Sequence, residues 1–205
     1  MADVESILSE CGAMLSGHFL LSSGKHSSRY FQCARLLQHP DKAALVIGDL
    51  VTKIQAEIAA GNLEADSVIG PAMGGIVVAY ELGRQLKKPA FFTERNDDGI
   101  MTLRRGFEIK DGEKIIIAED VVTTGKSTLE TAERIQEMGG VIVASICIVD
   151  RRPAPEKGIP NTSPFPWPLF AALRQPAELW NANECPLCKE GKLPAIKPGS
   201  RKIFR

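Results

Sequence analysis

Apolar residues at Val4, Ile7, Leu8, Cys11 and Leu15 recur at helical spacing, and with Asp3 placed as a cap they predict a first helix over residues 3–15. The pattern then shortens. In "HFLLSSGKHSSRYFQCARL" short apolar runs flank a Ser-Ser-Gly-Lys turn, which predicts a hairpin or two short strands. Ala44, Leu45, Ile47, Leu50, Val51, Ile54 and Ile58 restore the 3.6 period from Pro40 to Ala60, with Pro40 near the start and Gly61 just past the end. Beyond it, compact apolar runs at 66–70, 89–93, 114–120 and 141–150 alternate with helical patterns at 75–87 and 125–138. Unbroken apolar runs separated by helices predict a parallel sheet covered on both faces. Ligands bind such sheets beyond the carboxyl ends of the strands. Three loops should therefore meet at one edge: "GPAMGG", "EDVVTTGKST" and "DRRP".

Two segments break the alternation. Residues 94–113, "ERNDDGIMTLRRGFEIKDGE", are charged and poorly periodic, which predicts a mobile excursion or a β-ribbon. The proline-rich tail from Arg151 holds one further strand pattern at "WPLFAAL". A chain of 205 residues that is 44% hydrophobic can bury one sizeable core. One domain is expected, with a core over about 40–152, a hood over about 1–38 and a tail over about 153–205. The 25 basic residues balance the 25 acidic ones, which argues against a nucleic-acid partner. No run approaches the roughly 20 apolar residues of a membrane span, and the acidic N-terminus fits no signal peptide, so the expectation is a cytoplasmic protein without a membrane partner. Five cysteines, with Cys11, Cys33 and Cys147 in apolar surroundings, read as reduced thiols.

The chemistry concentrates in "IIIAEDVVTTGKST", residues 115–128. A buried strand should deliver Glu119 and Asp120 to solvent, and Gly125 lets the chain turn so that backbone N–H groups converge. Thr123, Thr124, Ser127 and Thr128 add hydroxyls beside a helix N-terminus, which favours an anion. Acids beside a phosphate would repel it unless they hold sugar hydroxyls, a magnesium ion or a developing cation. A ribose phosphate meets all of these. Taken singly, each feature has a plainer reading, since acids often cap strands and Thr-Gly turns often cap helices. A triphosphate P-loop is disfavoured because no glycine stands five residues before Gly125.

The apolar run, acid pair, two apolar residues, Thr-Thr-Gly and hydroxyls resemble the phosphoribosyl pyrophosphate signature of type I phosphoribosyltransferases. "FLLSSGKHSSRYFQCARL" resembles the hood of the orotate-specific branch of that family, and "SICIVDRRP" the strand and Asp-Arg with which it grips orotate. The resemblance spans about residues 5–152, with "CPLCKEG" and "KPGSR" similar to one subgroup. It implies an α/β fold, a parallel sheet flanked by helices under a small N-terminal hood. It also implies transfer of a phosphoribosyl group to orotate in pyrimidine synthesis, a Mg2+ cofactor and a homodimer with shared active sites.

By the same resemblance Glu119 and Asp120 bind the ribose hydroxyls and stabilise the ribosyl cation. Thr123, Thr124, Gly125, Lys126 and Ser127 surround the donor's 5-phosphate, Val121 and Val122 also bind the donor, and Lys25 reaches it. Tyr30, Phe31, Thr123 and Arg151 take orotate, with the planar donor fork of Arg151 suited to its carboxylate. Departures from the family pattern are informative. Where many members have Tyr-Lys after "GPA", this chain has Met73 and Gly74, so pyrophosphate contacts fall to backbone N–H groups or elsewhere. The loop lysine and histidine have no counterpart, which leaves Arg95, Arg104 and Arg105 as candidate catalytic cations. A purine-specific transferase and a non-catalytic phosphoribosyl pyrophosphate sensor are the rival readings; Arg151 and the hood speak against the first, the lack of a basic surface against the second.

Cys185-Pro-Leu-Cys188 has metal-knuckle spacing, but a structural zinc takes four ligands. No second Cys-x-x-Cys or histidine pair accompanies it along the chain, so no protein-bound metal is expected, and the turn should carry reduced thiols or a reversible disulfide. His18, His26 and His39 have no catalytic assignment.

Overall fold

The computed structural model describes residues 3–21, 23–153 and 163–198. Helix α1 (Val4–Glu10) is capped by Asp3, whose carboxylate accepts the Ser6 N–H at 3.1 Å. It ends well short of Leu15, where its apolar spacing would carry it. Gly12, at φ +63°, turns the chain out of the helix, so Leu15 enters strand β1 (Met14–Leu20) instead. A left-handed residue is accessible to glycine without a Cβ clash, which explains the stop. β1 pairs antiparallel with β2 (His26–Phe31), from Met14 opposite Phe31 to Leu20 opposite His26, as the Ser-Ser-Gly-Lys turn predicts. A single turn, α2 (Ala34–Leu37), and the long α3 (Pro40–Ala59) follow.

The remaining elements are β3 (Ser67–Pro71), α4 (Gly74–Leu86), β4 (Ala90–Arg95), β5 (Met101–Leu103), β6 (Lys114–Val122), α5 (Lys126–Glu137), β7 (Val141–Asp150), β8 (Leu169–Arg174) and the short α6 (Pro186–Glu190). They build a six-stranded sheet in the order β5-β4-β3-β6-β7-β8. Every neighbouring pair is parallel except β4 and β5. Residues 94–113 thus hold a β-ribbon, the second of the two forms their composition allows.

Alternation along β6 assigns its two faces. Ile116 and Ala118 pack with Val46, Ile47, Leu50 and Ile54 of α3 and Val78, Ala79 and Leu82 of α4. Ile115 and Ile117 pack on the other side with Ala132 and Ile135 of α5 and with Phe165 and Trp167. All these isoleucines are fully buried, so the strand that carries the acids is held on both faces. The tail contributes to this second layer: Phe165 stacks on Trp167, whose indole N–H donates to the Ser145 hydroxyl at 2.7 Å.

Helix α5 is also tied to the sheet by a buried polar contact. The Thr93 and Thr131 hydroxyls lie 2.9 Å apart and both residues are fully buried. Thr131→Val leaves the Thr93 hydroxyl unpaired and should cost about 1–3 kcal/mol in denaturant unfolding, whereas adding Thr93→Val should cost less than the sum of the two single changes. Additive losses would show that the hydroxyls do not act as a pair.

Candidate functional site

Strands β3, β6 and β7 are neighbours, so the loops that follow them meet at one edge of the sheet. The acid pair differs from its expected setting. Glu119 and Asp120 are not tip residues in solvent; β6 runs on through Val122, and both carboxyls are largely desolvated. Burial, with Asp120 beside it, pushes the Glu119 carboxyl up to about 8. Burial also raises Asp120, against the pull of the Val121 N–H, which donates to its Oδ1 at 2.8 Å.

The N-terminus of α4 explains why acids fit there. A Cβ on Gly74 would collide with the Asp120 carboxylate, and one on Gly75 would lie 2.8 Å from the Ala118 carbonyl and 3.2 Å from Glu119 Oε2. The two glycines let the helix start press against the carboxylates. "GPAMGG" therefore buries the acids, with a cis peptide between Ala72 and Met73. Met73 itself is 81% exposed.

The loop after β6 turns at Gly125, which adopts φ +77° and whose Cβ would meet Phe165 Cε1 at 2.7 Å. Gly125 offers no side chain to cap α5, and apart from the Lys126 N–H, which donates weakly to the Thr124 hydroxyl at 3.4 Å, the helix start can present its N–H groups to an anion. Thr123 and Thr124 are exposed on the rim and Ser127 is half-buried. Thr128 faces inward instead: it is buried and its hydroxyl has no partner among the described residues, so it does not join the cradle.

Next to the acids opens a cavity of about 570 Å3 bounded by the hood, the β6 and β7 loops and the tail. Tyr30 and Phe31 of β2, Val121, Thr123, Thr124 and Arg151 line it. The Arg151 guanidinium lies over the Phe31 ring, 5.0 Å from its centroid, and donates to the Arg29 carbonyl at 3.3 Å. Only 7% of the residue is exposed, and its Nε has no partner among the described residues. The neighbouring Asp150 cannot serve, because Arg152 at 2.8 Å and Arg174 at 3.0 Å already hold its carboxylate. Among the described residues no carboxylate pairs with Arg151, and burial lowers its basicity. A buried cation short of an anion, beside two aromatic rings, suits a flat ring that carries a carboxylate.

Other predicted residues lie apart from this cavity. Lys25 is exposed in the hairpin turn and does not line it. Arg95 pairs with Glu130 and donates to the Gly99 carbonyl at 2.6 Å, while Glu94 holds Arg105 at 3.0 Å and Arg104 at 4.0 Å. All three arginines sit on or beside the β4–β5 ribbon, outside the cavity wall of their own chain.

Two features lay beyond sequence reasoning. The tail supplies Leu179, Lys197 and Pro198 to the cavity wall; the end of "KPGSR" lies outside the described residues. Cys185 and Cys188 are accompanied by a histidine pair after all, His18 and His26 from the hood hairpin, which corrects the expectation that none exists. The pair was hidden because its members stand at the far end of the chain from the cysteines, each on a different strand. All five cysteines are free thiols, so the alternative of a disulfide between Cys185 and Cys188 is not what the structure contains.

Comparison with known proteins gives a consistent result. The phosphoribosyl transferase domain family matches residues 35–160. An orotate phosphoribosyltransferase of a Nitratiruptor species is 45% identical over 205 residues, 97% of this chain and 98% of the relative. The crystal structure of orotate phosphoribosyltransferase from Aeropyrum pernix superposes with a TM-score of 0.62 at 28% identity, covering 72% of this chain and 81% of that one. The Leishmania donovani UMP synthase structure, at 23% identity and a TM-score of 0.65, covers 85% of this chain and 36% of that chain and shares the fold.

The half-buried acid pair makes ligand-free stability depend on pH. The Glu119 carboxyl titrates near 8 in the native state against 4.5 ordinarily, so the native state binds the proton more tightly than the unfolded chain. Its contribution is complete below the unfolded value and is lost as pH climbs through the native one, a loss on the order of a few kcal/mol. Thermal midpoints of the ligand-free protein should fall from about pH 5 to pH 8, with Glu119→Gln flattening the fall. Equal slopes in both proteins would show that Glu119 is not the group titrating.

Proposed function

The chain belongs to the orotate phosphoribosyltransferase family, and from that premise we propose how its residues divide the work. The reaction moves a 5-phosphoribosyl group from phosphoribosyl pyrophosphate to orotate, giving orotidine 5-phosphate and pyrophosphate. The observation that carries the assignment of roles is Arg151, a buried guanidinium without a carboxylate partner among the described residues, at the wall of an aromatic-lined cavity. Orotate lies with its ring against Tyr30 and Phe31 and its carboxylate on Arg151, while Thr123 touches the ring edge. A purine has no carboxylate to offer, which disfavours the purine-specific alternative.

The donor occupies the loop after β6. Its 5-phosphate rests on the N–H groups from Thr123 to Ser127, and its ribose hydroxyls donate to Glu119 and Asp120. The bond to pyrophosphate breaks as the ring nitrogen of orotate approaches, leaving positive charge on the ribosyl carbon. Carboxylates held in place and shielded from water stabilise that charge with little reorganisation. Ionisation of the acids, unfavourable in the empty site, is favoured once the ribose hydroxyls and the developing cation arrive. With Gly74 in place of a lysine side chain, the leaving group falls to the backbone N–H groups at the start of α4.

Phosphoribosyltransferases generally use Mg2+ with their donor. The desolvated carboxylate pair fits such an ion: it would be held chiefly by the donor's own oxygens, with Glu119 and Asp120 the protein carboxylates that balance its charge. When bound, magnesium neutralises the departing pyrophosphate.

A homodimer completes the site in this reading. Met73, Val77 and Tyr80 form a stripe along the outer face of α4, 81%, 43% and 67% exposed, of the kind a partner covers. The ribbon carrying Arg95, Arg104 and Arg105, remote from its own cavity, reaches the partner's site and supplies the cation that the missing loop lysine would have given. The chain works as one domain, with hood and tail closing over the core. No described helix is long and apolar enough to cross a membrane, and five free thiols fit a reducing cytoplasm.

Three outcomes follow. Loss of orotate absorbance with donor and magnesium should occur with orotate but not with uracil, adenine or hypoxanthine, and Arg151→Ala should cost about 2–5 kcal/mol in kcat/KM for orotate while donor binding holds. Undiminished turnover by Arg151→Ala would remove the assignment. Tyr80→Glu should shift the protein toward monomer in sedimentation; an unchanged dimer would place the interface elsewhere. If the ribbon acts across the dimer, mixing inactive Arg104→Ala/Arg105→Ala chains with inactive Arg151→Ala chains restores activity, and a mixture that stays inactive counts against it.

A further inference from the structure

The four side chains brought together by hood and tail have no part in the reaction above. His18 lies on β1 and His26 on β2, both buried; Cys185 is fully buried and Cys188 lies one helical turn later, exposed. Their ligand atoms all fall within 4.8 Å of one another. Cys185 Sγ stands 3.5 Å from His18 Nε2, and Cys188 Sγ stands 3.6 Å from the same nitrogen and 3.3 Å from His26 Nδ1. Zinc bonds of about 2.3 Å to sulfur and about 2.0–2.1 Å to nitrogen put sulfur–nitrogen edges of a tetrahedron at about 3.5 Å. The observed edges match. The two ring nitrogens, 2.7 Å apart, are closer than the roughly 3.3 Å that a shared ion would set, and need to part by about half an ångström.

The orientation of His18 adds an independent argument. Its Nδ1 lies 2.9 Å from the Leu193 carbonyl, an acceptor, so Nδ1 carries the proton and Nε2 presents a lone pair to the cluster. Donation of the distal N–H to a carbonyl is the supporting contact that metal-ligating histidines ordinarily have. Two thiols and two imidazoles fill four positions and leave none open, which describes a structural rather than a catalytic site. Soft sulfur with imidazole selects zinc over magnesium or calcium.

We propose that His18, His26, Cys185 and Cys188 bind one structural zinc ion that fastens the C-terminal tail to the hood. Binding releases the two thiol protons and forms two Zn–S and two Zn–N bonds, with no change of oxidation state. Its consequence for function rests on the orotate reading above. On one side of the cluster the backbones of His26 and Trp180 exchange hydrogen bonds at 2.8 and 3.0 Å. On the other, Leu20 donates to Ile196 at 2.8 Å and Ile196 to His18 at 2.9 Å. The tail residues on the cavity wall, Leu179, Lys197 and Pro198, are immediate neighbours of these anchor points. The ion thus fixes one wall of the acceptor cavity and leaves the donor cradle on the core untouched.

The test begins with untagged protein grown in zinc-supplemented medium and measured by plasma mass spectrometry. One zinc per chain is expected, released by a mercurial thiol reagent, and lost in Cys185→Ser and Cys188→Ser. Because those variants could misfold, stripped wild-type protein is also reloaded with cobalt, which should give the intense visible bands of tetrahedral thiolate coordination. The stripped protein should show an orotate KM raised about 10-fold or more, with donor affinity retained. Loss of donor binding as well would mean that the core depends on the metal and overturns the wall assignment. Absence of stoichiometric zinc, or zinc that persists in Cys188→Ser, would overturn the site itself, and neither result would bear on orotate turnover by the wild-type protein.

Discussion

Two adjacent, half-buried carboxylates at the end of the central strand set the terms for the rest of the structure. Ionised acids buried in this way are costly, and Glu119 responds by holding its proton up to about pH 8. Such a site persists only if the surroundings are rigid enough to prevent the acids from swinging out to solvent. Fully buried isoleucines on both faces of β6 provide that rigidity, and Gly74 and Gly75 let α4 close over the pair. The parallel sheet, the helix layers and the glycines after β3 are in this sense the frame for one partly desolvated pair of carboxyls.

The same economy of charge governs the acceptor end. Three arginines crowd around one aspartate at the β7 terminus, and Asp150 satisfies Arg152 and Arg174 while Arg151 is left to face the cavity. The acid pair and Arg151 thus stand at the ends of neighbouring strands, β6 and β7. Hood and tail then supply aromatic walls and a cover. The acid pair and the loop after β6 belong to the core, whereas the cavity beside Arg151 is walled by hood and tail as well.

Sequence alone revealed the core well because its signals are local. Unbroken apolar runs mark strands buried on both faces, and the periods at 40–60, 75–87 and 125–138 mark the helices that bury them. The Glu119 to Ser127 motif stood out for the same reason, since its residues are contiguous at the end of β6 and in the turn that follows. Leu15 was misassigned because Gly12, a single left-handed residue, outweighs helical spacing. The acid pair was placed in solvent because nothing local shows that β6 continues through Val122 or that Gly74 and Gly75 pack against it. The His18, His26, Cys185 and Cys188 cluster was missed for a third reason: half of it is a motif and the other half is two isolated histidines on paired strands, joined only by folding.

The direct test of the account is whether the acid pair gives up a proton when the donor arrives. Calorimetric titration of the preformed magnesium complex of phosphoribosyl pyrophosphate into the protein at pH 7, in buffers of different ionisation enthalpy, reads that proton count. The account predicts net release approaching one proton per site, abolished in Glu119→Gln. Binding with no buffer dependence, or the same release from the variant, would contradict it.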